Sequence, residues 1–167
     1  ITGMPIRFSL DGQGALTIEA INFEGRISGD DNNNPVPDFL SEQKGLTGIG
    51  SYQGRLVLMA GAFVNMSASN EPLRFLRSTV TTIRDDDPIQ TAAGSVSAAE
   101  FVYAEPFNKD LILISSTHQA VIPAMQQGIT PTNAMIVLGT KQSIDTKTRP
   151  AVIGRTLMFS TPLSEDF

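Results

Sequence analysis

Arg55-Leu56-Val57-Leu58-Met59-Ala60, Asp110-Leu111-Ile112-Leu113-Ile114-Ser115 and Arg155-Thr156-Leu157-Met158-Phe159-Ser160 look alike. In each a polar residue leads an apolar run that ends on or near a small one. Runs of this length, rich in branched side chains and bounded by turn residues, are strand signals. After the first two comes a second short run at matching distance, Phe63 to Ser67 and Gln119 to Pro123, so each pair reads as a hairpin. From Leu56 to Leu111 is 55 residues and from Leu111 to Leu157 is 46, the range of one propeller blade with insertions. The expected fold is therefore all-β, built of propeller-like or blade-like antiparallel sheets as a partial propeller, with all three runs as central strands. A β-sandwich is the alternative.

Outward from these runs, Met4 to Leu10 and Ala15 to Phe23 read as an opening hairpin around Asp11-Gly12-Gln13-Gly14. Residues 29–38 are polar and carry Pro35 and Pro37, which lack amide donors, so a surface loop is expected there. Gly48 to Gly54 reads as a turn entering a strand; its glycine spacing has one residue too many for a dinucleotide fingerprint. The best helical candidate is Ser69 to Leu76, capped by Ser69 or Asn70 with Pro72 early. Residues 91–99 read as a connection or a weakly marked strand.

At 167 residues the chain fits one β-rich domain, residues 1–167, large enough to bury a core without staples. Beginning at Ile1 and stopping within Ser164-Glu165-Asp166-Phe167, it reads as a fragment of a longer protein. Cysteine is absent, which removes disulfides and thiolate metal sites. No apolar run approaches the roughly 18 residues a spanning helix needs, so no membrane span is expected. Twelve basic against 17 acidic side chains leave a net charge of −5, which disfavours gripping nucleic acid and allows its passage.

The chemistry of an enzyme is sparse. His118 is the single histidine and follows Ser115-Ser116-Thr117, where a hairpin tip is expected. Asp30-Asp31-Asn32-Asn33-Asn34 alternates oxygen ligands as a calcium loop does, yet Pro35 stands where that loop needs glycine and Ser41 where it needs glutamate. Asp85-Asp86-Asp87-Pro88 sets three carboxylates in a row, which calls for solvent or for a base such as Arg84, Arg74 or Arg77. No catalytic residue, cofactor site or metal site is assigned. The expected loop or subunit contacts are Arg26, Asp30, Arg55, Asp85, Asp86 and Asp87.

The order of several short elements resembles the tail tubular protein B family, the nozzle proteins of short-tailed bacteriophages. These elements are Arg26 with Gly29-Asp30, Asn34-Pro35-Val36-Pro37-Asp38-Phe39, Ile49, Gln53-Gly54-Arg55-Leu56-Val57, Ser67, Phe75, Asp85-Asp86-Asp87-Pro88-Ile89, Leu111, Gln119 and Thr130-Pro131. The resemblance implies a structural part of the virion tail and no enzyme. It further implies copies arranged in a ring, a hexamer in the full-length protein, with other tail proteins as partners and viral DNA passing through without specific binding. Family chains are much longer, so pore residues are not carried over. In such a protein the Asn65-Met66-Ser67 sequon has no glycosylation meaning. A carbohydrate- or receptor-binding β module of a phage tail is the alternative function; a hydrolase of the cell envelope is the third.

Overall fold

A computed structural model describes residues 5–40, 45–94 and 100–162. Its centre is two successive four-stranded antiparallel sheets. The first contains β3 (Gly48–Tyr52), β4 (Arg55–Ala60), β5 (Phe63–Met66) and β6 (Ile89–Ala92); the second contains β7 (Phe101–Phe107), β8 (Asp110–Ser115), β9 (Gln119–Ile122) and β10 (Val137–Leu138). In both, neighbours in the sheet are neighbours in the chain. The first two runs of the sequence thus become β4 and β8, interior strands of two different sheets. Side chains on a strand alternate between faces, and both faces of β4 are covered, so its apolar residues are continuous instead of alternating with polar ones.

The sheets pack face to face. Val57, Met59 and Met66 of the first share one core with Leu111, Leu113 and Ile122 of the second. All six are fully buried, and each such side chain contributes about 1.5–3 kcal/mol. The sheets approach closest where β3 crosses β7. A Cβ on Gly48 would lie 2.1 Å from the Val102 carbonyl oxygen, and one on Gly50 would lie 2.9 Å from that of Ala104. Only glycine fits there. Side chains close the seam at both ends: Thr47 Oγ1 donates to the Phe101 carbonyl at 2.6 Å, and the Tyr52 hydroxyl donates to the Lys109 carbonyl.

Each outer face has its own cover. Leu58 and Ala60 turn away from the shared core onto Phe39 and Phe75. The rings of Phe23, Phe39 and Phe75 meet edge to face, with centroids 5.1–5.5 Å apart. On the second sheet the cover is the segment after β10: buried Ile144, the Thr146 carbonyl accepting from Tyr103 at 2.6 Å, and Arg149 donating to Glu105 at 2.8 Å.

Two hairpins stand outside this stack, each a sheet of only two strands. The opening one, β1 (Ile6–Leu10) and β2 (Leu16–Ala20), forms as its sequence predicts, and Asp11 closes its turn by accepting from the amides of Gln13 and Ala15. The closing one is β11 (Ala151–Ile153) and β12 (Thr156–Met158). Here the expectation for the third run fails: 156–158 pairs only with β11 and is mostly exposed, so it is no central strand.

Other expectations change as well. Ser69 to Leu76 is not helical, because Asn70 takes a φ of 60° and the segment closes on itself through a bridge from Ala68 to Glu71. Gly48 to Tyr52 is a strand; only Gln53-Gly54 is the turn, with positive φ at both residues. Of the weak stretch 91–99, residues 91 and 92 end β6, and 95–99 lie outside the described residues. The fold is all-β, with several antiparallel sheets and none closed into a barrel or ring among the described residues.

Two substitutions test the seam and the core. Gly48→Ala should lower stability in urea unfolding by about 2–3 kcal/mol through overpacking, whereas Gly25→Ala, with nothing within 4 Å of the new atom, should change it by less than about 0.5 kcal/mol. Leu113→Asp should cost at least about 4 kcal/mol, the mark of an unpaired buried charge.

Candidate functional site

The charged residues singled out in the sequence gather where two loops, 21–40 and 67–88, cover the outer face of the first sheet. Arg55 is the anchor. As the first residue of β4 it is 5% exposed, and its guanidinium donates to three main-chain carbonyls: Ser67 at 2.8 Å, Asp87 at 2.7 Å and Asp85 at 2.6 Å. Five fixed donors in a planar fork suit such a task, and a lysine could not span it. Burial pulls the Arg55 pKa down, while the nearby Asp86 and Asp87 carboxylates oppose that shift.

The acidic run divides by role. Asp87 is buried, accepts from the Arg84 amide at 2.9 Å, and lies 3.8 Å from Arg74 Nη1. Asp86 pairs with Arg84 at 3.2 Å on the surface, while its carbonyl accepts from the Ser69 amide. Asp85 exposes its side chain and contributes its carbonyl to Arg55. Of the three bases expected to neutralise the run, Arg84 and Arg74 do so. Arg74 also holds Glu71 at 2.5 Å, and that hydrogen bond lowers the Glu71 pKa.

Arg77 goes elsewhere, donating to the Asn33 carbonyl in the other loop. Beside it is a residue that sequence reasoning missed as a contact. Buried Asn34 donates to the carbonyls of Ser28 (2.8 Å) and Arg77 (3.0 Å) and accepts from the Arg77 amide (3.0 Å), joining the two loops. Its partner is 43 residues away, so no local spacing could reveal the bond. Asp30 caps the same loop by accepting from the amides of Asn32 and Asn33. Arg26 donates to the Asn34 carbonyl at 3.1 Å and pairs with Asp31.

Within residues 30–34 one side-chain oxygen each of Asp30, Asp31, Asn33 and Asn34 accepts from the chain's own donors, and no group of three or more His, Cys, Asp or Glu side chains placed to hold a metal occurs among the described residues. Between the loops lies an open groove of about 180 Å³ lined by Asn34, Pro35, Phe75, Arg77, Ile83, Pro88, Gln90 and Pro131. His118 sits in the β8–β9 turn, its Nδ1 2.8 Å from Thr117 Oγ1 and its amide donating to Ser115 Oγ. No acid of a triad contacts it in that turn. The two loops thus form a surface held by hydrogen bonds within the chain, and the Thr117 hydroxyl meets the His118 ring apart from it, in the β8–β9 turn.

Arg55→Met should destabilise the fold by about 3–5 kcal/mol, since three carbonyls, those of Ser67 and Asp87 in buried hydrogen bonds, lose their donor; Arg55→Lys should restore only part, as chemical denaturation would show. Glu71 has its folded pKa below its unfolded one, so its contribution is present above the ordinary carboxylate range and is lost as pH falls through the folded value. The stability gap between the wild type and Glu71→Gln should therefore close on acidification, measured by thermal melts from neutral to acid pH.

Comparison with known proteins places this surface in context. A family described as "Bacteriophage nozzle protein" matches residues 2–167. The tail tubular protein gp12 of Escherichia phage T7 is 26% identical over 161 residues, which is 96% of this chain and 20% of that relative. The chain spans about one fifth of the length of the curated relative it matches. With a match that runs through both stacked sheets, both loops and both hairpins, the chain belongs to the bacteriophage nozzle protein family, structural proteins of the phage virion tail.

Proposed function

We propose that this chain is a non-enzymatic β module of a tail nozzle, a single domain of a longer polypeptide, and forms part of the wall of the conduit through which the genome leaves. The observation that carries the reading is the family match over residues 2–167. The fold agrees with it physically. Two consecutive four-stranded meanders share one core with their first strands β3 and β7 adjacent, an arrangement that neighbouring blades around an axis would share. Copies of the chain would stand in a ring, six in the full-length protein, beside other tail proteins. Arg26, Asp30, Arg55 and the Asp85 to Asp87 run would shape the loop surface offered to those neighbours.

A conduit must let DNA pass without holding it. The net charge of −5 suits that, because an acidic wall repels phosphate, while tight binding rests on clustered basic side chains. In a mobility-shift experiment with linear duplex DNA at about 0.15 M salt, where charges are screened beyond ~8 Å, the chain should leave the DNA unshifted. Retention would overturn the conduit reading. Cryo-electron microscopy of the assembled tail should show residues 48–66 and 101–122 as adjacent blades around a channel; an isolated sandwich on the outer surface would sink it.

A further inference from the structure

In an antiparallel pair the hydrogen-bonded residues alternate, so every second residue of an edge strand turns its amide and carbonyl outward. Strand β6 is the outer edge of the first sheet. The bond from the Ala93 amide to the Ala62 carbonyl continues the register that pairs Val64 with Thr91 and Met66 with Ile89. Ile89 and Thr91 therefore bond to β5, while Gln90 and Ala92 turn their amides and carbonyls away from it. Both residues are exposed, and among the described residues none of those four groups has a hydrogen-bond partner. The strand Ile89-Gln90-Thr91-Ala92 also lacks a charged side chain, the common device that keeps an edge from pairing. The second sheet offers less, since its outer strand β10 has two residues.

Beside this edge lies the groove between the loops. Gln90 and Pro88 line it with Pro35, Phe75, Arg77 and Ile83, and Ile83 is 56% exposed. Gln90 Nε2 donates to the Pro35 carbonyl at 3.3 Å, so the groove lies on the face of β6 that the loops cover. Among the described residues Arg77 is the one charged group of the lining, and its guanidinium is bonded to the Asn33 carbonyl and to no carboxylate. We propose that the β6 edge takes a fifth strand: an extended segment of another tail protein that presents a carboxylate to Arg77 and an apolar side chain to the groove. Unpaired main-chain groups would hold the strand, and the groove and Arg77 would choose its side chains. The carboxylate and the apolar residue stand two apart, because alternate side chains share a face. Charge speaks against β6 of a second copy, since antiparallel pairing of the two edges keeps their faces together and sets one Arg77 beside the other. Membership of a family of virion tail proteins points to the source; the edge and its groove stand on the fold and do not rest on the conduit reading.

The probe is an acetylated and amidated pentapeptide, Leu-Thr-Glu-Thr-Leu, whose pattern reads alike in both directions. In nitrogen-edited NMR of the labelled chain, the amide signals of Gln90 and Ala92 and the Nε–H of Arg77 should shift together on titration. Glutamine in place of the glutamate should weaken binding about twofold to fivefold, the range of an exposed ion pair, and lysine should weaken it further. N-methylation of one alternate set of peptide amides should abolish binding, and methylation of the other set should leave it, because only one set faces β6. Ala92→Pro removes an outward donor and no bond to β5. Its melting temperature should stay near that of the wild type while the peptide no longer binds. Unmoved Gln90 and Ala92 signals at millimolar peptide would overturn the proposal, as would equal binding of the lysine peptide. Exchange protection of both amides that grows with the concentration of the chain alone would overturn it in favour of a second copy. Their protection in the isolated full-length protein would overturn it in favour of a strand from the same polypeptide.

Discussion

The structure depends on two stretches of backbone approaching more closely than any side chain would permit. At Gly48 and Gly50 strand β3 presses against the carbonyls of Val102 and Ala104 in β7. This sets the separation of the two sheets at one edge, and Thr47 and Tyr52 fix it at both ends with hydrogen bonds to the β7 backbone and its turn. Once the seam is set, the strands behind it are committed. Val57 and Met59 must face Leu111 and Leu113, and the alternate residues Leu58 and Ala60 must find cover on the far side. The three phenylalanines and the loops that carry them follow from that second demand.

The loops are held by polar bonds as much as by apolar contact. Arg55 draws three carbonyls around one buried guanidinium, which lets the 67–88 excursion fold back on the sheet without leaving acceptors unmet. Three successive aspartates are tolerable because they point to different places: one buried beside Arg74, one paired with Arg84, one in water. The excursion therefore behaves as part of the scaffold, and Asn34 extends the same rigidity to the 21–40 loop.

Much of the fold was legible because its signals are local. The β4 and β8 runs declare themselves by continuous apolar character, and the opening hairpin by alternation around an Asp-Gly turn. What stayed hidden depends on distant partners. Strand β3 is rich in glycine, a poor strand signal, and its reason for glycine lies some 50 residues away in β7. Strand β10 has two residues, too few for any pattern. The cap and early proline at Ser69 to Leu76 signal a helix, but the sheet edge and Arg55 impose turns instead. The run at 155–160 has the same apolar character as its two counterparts, yet pairing, not composition, decides whether a strand is central. Among the candidate contacts, Arg55 and the aspartates could be named from the sequence; the Asn34–Arg77 bond could not, since it crosses 43 residues.

Both meanders leave the sheet at the same point. The chain departs between the third and fourth strand, for residues 67–88 in the first and 123–136 in the second, and returns to add the last strand. The entropy of closing such a detour grows only slowly with its length. Additions at exposed points of these excursions, away from Phe75, Arg77 and the carbonyls held by Arg55, would leave the seam and the first three strands of each sheet as they are. Evolution is thus offered one tolerant position per sheet at which a new contact surface can be tried, while the frame that carries it stays constant.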